Sequence, residues 1–190
     1  EHGLKIGTIA DLIRYRLRNE RSVERIAERR IQTEFGEFSL LVYQDHVHRD
    51  VHLALVRGRV DGDAVPLVRV HLTDTLRDVI GVAAEGRHWT LRAAMQRIAR
   101  EGSGVIVVLR EAESPRELAD AVQALRPHGE TPRISPAEPS GGPVLRTYGI
   151  GAQILKDLGL RRMRVLSAPK QMHGLSAFDL EVVSYVDSAS

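Results

Sequence analysis

Three histidines fall at even spacing in Asp45-His46-Val47-His48-Arg49-Asp50-Val51-His52. Along one continuous strand His46, His48 and His52 would share a face, and a row of imidazoles at that spacing could hold zinc or nickel. Asp45 and Asp50 are turn formers, however, and a turn between them would break the row and leave a polar hairpin tip. The chain has no cysteine, which excludes a disulfide framework and any thiolate metal site. No nucleophile–base pair stands out, and no aromatic-basic surface of the kind that binds nucleic acid.

Charge adds little, because 27 Lys and Arg face 25 Asp and Glu. No apolar run reaches the roughly 18 residues of a membrane span, and Glu1-His2-Gly3 does not open like a signal peptide. A cytoplasmic location with no membrane or nucleic-acid partner is the expectation. At 190 residues, 43% of them hydrophobic, one core or one and a half is expected.

The elements that would position any site read as follows. Ile9 to Arg18 has a helical stripe of Ile9, Leu12, Ile13 and Leu17 behind a capping-box-like start at Thr8. Asn19 to Arg30 is charged and reads as a linker. Strands of period two follow around Phe38–Val42, Val51–Arg57 and Pro66–His71, which together suggest a β-meander or part of a small barrel. Leu91, Ala94, Met95, Ile98 and Ala99 mark a helix, in front of which Trp89 is expected to pack on the core or a partner. Val105–Leu109 is an unbroken apolar run, as in a strand covered on both faces. Ser114-Pro115-Arg116-Glu117 combines an N-cap, a first-turn proline and a capping-box glutamate, and the helix it starts is expected to bury Leu118, Ala121, Val122 and Leu125. Five of the eight prolines lie between Arg126 and Arg146, so residues 126–146 read as a mobile Pro/Gly-rich loop. A helix from Arg146, closed by Gly159, is expected next, with Ile150, Ile154, Leu155 and Leu158 on one face. Strands at Met163–Leu166 and Leu180–Val186 end the chain. The fold class is α+β or α/β, with a strand-rich front half and a helix-strand-helix back half.

Two stretches carry a family resemblance. Arg146-Thr147-Tyr148-Gly149-Ile150-Gly151-Ala152-Gln153-Ile154-Leu155-Lys156-Asp157-Leu158-Gly159, followed by Arg164-Val165-Leu166-Ser167-Ala168-Pro169-Lys170-Gln171, resembles the C-terminal segment of GTP cyclohydrolase II. That zinc enzyme opens riboflavin synthesis. His2-Gly3-Leu4-Lys5-Ile6-Gly7-Thr8-Ile9-Ala10-Asp11-Leu12-Ile13 resembles the closing segment of 3,4-dihydroxy-2-butanone 4-phosphate synthase, which many bacteria fuse in front of GTP cyclohydrolase II. The resemblance implies a synthase tail at residues 1–20, a linker at 21–30 and a GTP cyclohydrolase II-like domain at 31–187. It also implies a homodimer and a fused synthase domain as partner.

The resemblance further implies which residues once did chemistry. The family holds zinc with three cysteines after an Arg-Val-His-Ser-Glu-Cys stretch. Here the matching stretch is Arg69-Val70-His71-Leu72-Thr73-Asp74, and the later cysteine pair falls among residues 82–86, where only Glu85 could donate. Asp74 is a weak substitute for thiolates. The family's phosphate-cradling glycine loop is replaced by Arg110-Glu111-Ala112-Glu113-Ser114, whose carboxylates would repel phosphate. Arg146 matches the family's nucleophilic arginine, but Val144 stands where the family has its proton acceptor, and valine moves no proton. Arg69 and Lys170 match remnants of substrate binding. The stretches that match best, residues 33–38, 52–58, 67–71 and 148–155, are scaffold. Ligands, glycines and the acid–base residue are what is missing, a pattern of release from selection for catalysis. The function expected is therefore an inactive GTP cyclohydrolase II-like domain without zinc or other cofactor, acting as structural or regulatory partner of the fused synthase. The alternatives are residual or altered GTP cyclohydrolase activity, or a sensor of GTP or a flavin-pathway compound.

Overall fold

The computed structural model describes residues 22–47, 49–82, 89–110, 113–125, 141–168 and 175–188, with backbone only at 141–148 and 176–177. Seven strands form one mixed sheet: β1 (Val23–Thr33), β2 (Gly36–Asp45), β3 (Val51–Arg57), β4 (Leu67–Leu72), β5 (Gly104–Leu109), β6 (Arg162–Leu166) and β7 (Glu181–Val186). Their order across the sheet is β1-β2-β3-β5-β4-β6-β7. The first three are antiparallel neighbours, and β5 lies antiparallel to β3. From β5 onward every pairing is parallel. Among the described residues three α-helices accompany them: α1 (Leu91–Glu101), α2 (Pro115–Gln123) and α3 (Gly141–Asp157).

The sheet is sandwiched. On one face α3 sets Ile150, Ile154 and Leu155 against Leu41, Tyr43, Val105, Val107 and Met163. On the other, α1 sets Ala94 and Ile98 against Phe38, Leu67, Ile106, Val108 and Leu166, with Trp89 closing that core. Alternate residues of β5 thus serve the two cores, and all six of its positions are buried. This is why its sequence is an unbroken apolar run. Trp89 packs in the core and donates its indole N–H to the Val186 carbonyl at 2.9 Å. The helix α1 starts at Thr90, whose side chain accepts from Ala93 N, and ends at Gly102 with φ 83°. Gly104 lets α1 sit close on the sheet. A Cβ there would lie 2.7 Å from both Ile98 Cγ1 and the Leu67 carbonyl oxygen.

Several expectations need correcting. The front strands do not form a closed meander, because β5 inserts between β3 and β4. Those two short-linked strands are separated since β5 buries both faces and takes the centre. The charged segment read as a linker, residues 21–30, contributes Val23 to Arg30 to β1. As an edge strand exposed along most of its length, β1 accommodates charges that a central strand would not. β2 buries residues on both faces, Leu41 and Tyr43 as well as Phe38, because α3 covers the face opposite α1. α3 starts at Gly141 rather than at Arg146. Pro143 is tolerated there because the first four N–H groups of a helix have no intrahelical partner. Residues 126–140 of the expected loop, and the expected first helix at residues 9–18, lie outside the described residues. Finally, the capping box at Ser114 forms as expected, yet α2 buries none of its residues. Both faces of β5 are already covered by α1 and α3, which leaves α2 no core face to join.

Candidate functional site

The C-terminal end of β4 gathers the polar groups. Arg69 and His71 alternate with Val68 and Val70, so they project to the α1 side of the sheet. The guanidinium of Arg69 donates to the Leu166 carbonyl at 2.9 Å and to the Trp89 carbonyl at 3.1 Å. It therefore ties β4 to the end of β6 and to the start of α1. Burial pulls its pKa below the ordinary arginine value, and the nearby charge of Asp78 opposes that pull.

After Leu72 the strand leaves the sheet, with Thr73 N still donating to the Leu109 carbonyl at 3.1 Å. Asp74 then caps a short π-helical turn, Thr75–Ile80. One carboxylate oxygen of Asp74 accepts from Arg77 N at 3.0 Å, and the other pairs with the Arg77 side chain at 3.5 Å. Gly81, at φ 77°, closes the turn. Asp78 points back toward the strand. Its Oδ2 accepts from Asp74 N at 2.9 Å and meets His71 Nε2 at 2.8 Å. Both side chains of the His71–Asp78 pair are nearly buried. Their other atoms, His71 Nδ1 and Asp78 Oδ1, are buried without a hydrogen-bond partner, as is Arg69 Nε. Leaving polar atoms unpaired in the interior costs stability, so this cluster is a poor device for stability alone.

The histidine run divides. Asp45 N donates to the Asp50 carbonyl, and Arg49 takes φ 60°, so a turn closes where a straight strand would have aligned the row. His46 lies exposed in that turn with Nε2 at 2.9 Å from a Glu24 oxygen. His52 is buried on β3, its Nδ1 accepting from Arg110 N at 3.2 Å. His48 lies outside the described residues, as do Glu85 and Lys170. Arg146 sits on α3, in its second turn. Among the described residues no three His, Asp or Glu side chains are grouped as a metal ion would require. The zinc of the resemblance does not fit the residues present: the chain supplies no thiolate, and Asp74 is engaged as a helix cap.

Sequence reasoning missed Asp78, although its place four residues after a capping aspartate and three before a glycine was a usable signal for an inward-facing turn residue. It also missed the contact that holds the front strands to α3. The Asp157 carboxylate accepts from Tyr43 Oη at 2.9 Å and from Arg25 at 2.7 Å. Nothing in local spacing announces a contact made across 114 residues.

A mixed sheet covered on its two faces by α1 and α3 defines an α/β protein, and the polar cluster at the ends of its parallel strands is its candidate site. The family model of GTP cyclohydrolase II matches residues 24–187, and the chain belongs to the GTP cyclohydrolase II family. It is 50% identical over 186 residues to a 3,4-dihydroxy-2-butanone 4-phosphate synthase of Pseudomonas aeruginosa, covering 98% of this chain and 49% of that protein. It is 38% identical over 186 residues to the riboflavin biosynthesis protein RibBA of Bacillus cytotoxicus, covering 96% of this chain and 47% of that one. The crystal structure of RibBX, a two-domain 3,4-dihydroxy-2-butanone 4-phosphate synthase from A. baumannii, superposes with a TM-score of 0.70 at 37% identity. That match covers 97% of this chain and 46% of the other. The chain thus spans about half the length of the relatives it matches. No helix among the described residues is long and apolar enough to cross a membrane.

Proposed function

We propose that this chain is the GTP cyclohydrolase II-like half of a two-domain riboflavin-biosynthesis protein, that it does not open GTP, and that it serves the synthase half as a structural or regulatory partner. Residues 1–20 are then the tail of that synthase half, and the GTP cyclohydrolase II-like unit follows, with its first strand from Val23. The names of the two-domain relatives support the pathway and the partner.

One observation carries the loss of activity. Asp74, at the position of the family's first zinc ligand, is committed to the chain's own structure as the cap of the 75–80 turn, and the neighbouring His71 is spent on Asp78. A metal-bound water generated near neutral pH is what such ring hydrolysis needs, and thiolates or free imidazoles would have to hold the metal. Without a cysteine, and with valine at position 144 where the resemblance implies the proton acceptor, both the metal-activated water and the proton transfer lack their residues.

Metal analysis of the purified protein should find less than about a tenth of a zinc per chain, since structural and catalytic zinc sites bind near stoichiometry. Incubation with GTP should release no formate. Stoichiometric zinc together with formate release would refute the reading.

A further inference from the structure

Eight large apolar side chains are exposed among the described residues: four of them sit at one end of the sheet, and two more lie on the segment that leaves from that end. Val47 lies in the β2–β3 turn, and Leu72 ends β4. Val79 and Ile80, 77% and 67% exposed, belong to the turn that Asp74 caps. Val122 and Leu125 belong to the segment that leaves β5. Of the strand and turn residues among the eight, none lies at the opposite end of the sheet; the last two, Ile26 and Val183, lie within the edge strands. α2 makes the point most sharply. Leu118, Ala121, Val122 and Leu125 recur at helical spacing, yet no residue of the helix is buried. A nine-residue helix is below the roughly 12–15 residues at which isolated helices become even marginal, so its apolar stripe needs a partner.

The register shows what arrives at that end. Val23 pairs with Asp45, Gln44 with Val51, Leu53 with Val108, and Leu109 with Leu72. The point where the chain comes into β1 is therefore level with the C-terminal ends of β5 and β4. It is four strand spacings from β4 across the sheet, or about 19 Å. Whatever precedes Ser22 is delivered to the apolar end. Even taken together these six side chains are few beside the about 20–30 residues a side of a standard untethered interface. A tethered partner needs less, because a short linker holds it at an effective concentration in the millimolar range. A fused neighbour thus suits the patch better than a free second copy.

We propose that the apolar end formed by the Thr75–Ile80 turn and the exposed face of α2 is the docking surface for the synthase half that precedes it, a proposal that rests on the two-domain reading above. The test uses the full two-domain protein. Amide hydrogen exchange within 75–80 and 115–125 should be slowed there, and Ile80→Asp with Val122→Asp should speed it by about tenfold or more while cross-links from these segments to the synthase half are lost. Val183→Asp, a change at another exposed valine on β7, should alter neither. Both substituted side chains are already exposed, so an unchanged melting profile of the sheet distinguishes lost docking from lost folding. Unprotected exchange in the unsubstituted protein would overturn the proposal, and so would cross-links running to a second copy or to this half itself. In those cases the zinc and formate results would still uphold the functional reading. Stoichiometric zinc with formate release would instead refute the loss of activity and leave the docking surface to stand or fall on the exchange and cross-links.

Discussion

At position 74 a single carboxylate does the work of a helix cap, and its chemistry can be separated from metal binding by substitution. Asp74→Ala removes the acceptor for Arg77 N and should cost about 1 kcal/mol in denaturant unfolding, whereas Asp74→Asn, which caps as well, should cost a few tenths at most. A ligand role would rank the two differently, since an amide replaces a carboxylate poorly at zinc. Tyr43 offers a pH test. Burial first, and then the hydrogen bond to Asp157, hold its phenol above the ordinary value of 10.0. The folded protein keeps that proton while the unfolded chain loses it. The stability contribution is whole below pH 10 and declines as the pH climbs past it toward the folded-state value. Thermal unfolding followed from pH 9 to 11 should show this decline, and Tyr43→Phe should flatten it while losing about 1 kcal/mol at neutral pH. Asp78 left in the sequence only the signal of its place between a capping aspartate and a glycine, and the Tyr43–Asp157 bond left none, because the partner of each is chosen by the fold and not by its neighbours in sequence.

Among the elements, those whose signals are local could be read directly. β5 announced itself by five apolar residues in a row, α1 by its stripe, and the start of α2 by Ser114, Pro115 and Glu117. What local signals did not carry was each element's surroundings. The stripe of α2 was expected inside and is outside, because amphipathicity states that a face wants cover without stating what supplies it. The charges of β1 were read as a linker because an edge strand needs only a partner on one side. The α1–β5 junction gives the prediction at this scale. Gly104→Ala drives a methyl against the Leu67 carbonyl oxygen and against Ile98, and backbone cannot yield as a side-chain tip can. The variant should lose about 1–3 kcal/mol, the usual range for overpacking, read as a lower denaturant midpoint. Gly102→Ala is the informative companion. It meets nothing within 4 Å but must hold φ 83°, so its cost reports backbone strain alone.

At the level of the molecule, the resemblance carried by Tyr148–Leu155 and Leu67–His71 anticipated the family, and the observed sheet agrees with it. The order of strands could not be anticipated from pattern, since β5 was identifiable as a doubly covered strand without any mark of which neighbours would cover its edges. That order has a consequence for how the chain is made. A ribosome delivers β3 and β4 before the strand that belongs between them. Until Leu109 has emerged, the hairpins of the front half and the lone β4 have no shared edge, and their apolar faces wait unmatched. The wedge that arrives after both of its neighbours, not the first-made hairpin, is then the step that joins the two parts of the sheet, and a nascent chain stalled before residue 104 would be the species most in need of a chaperone.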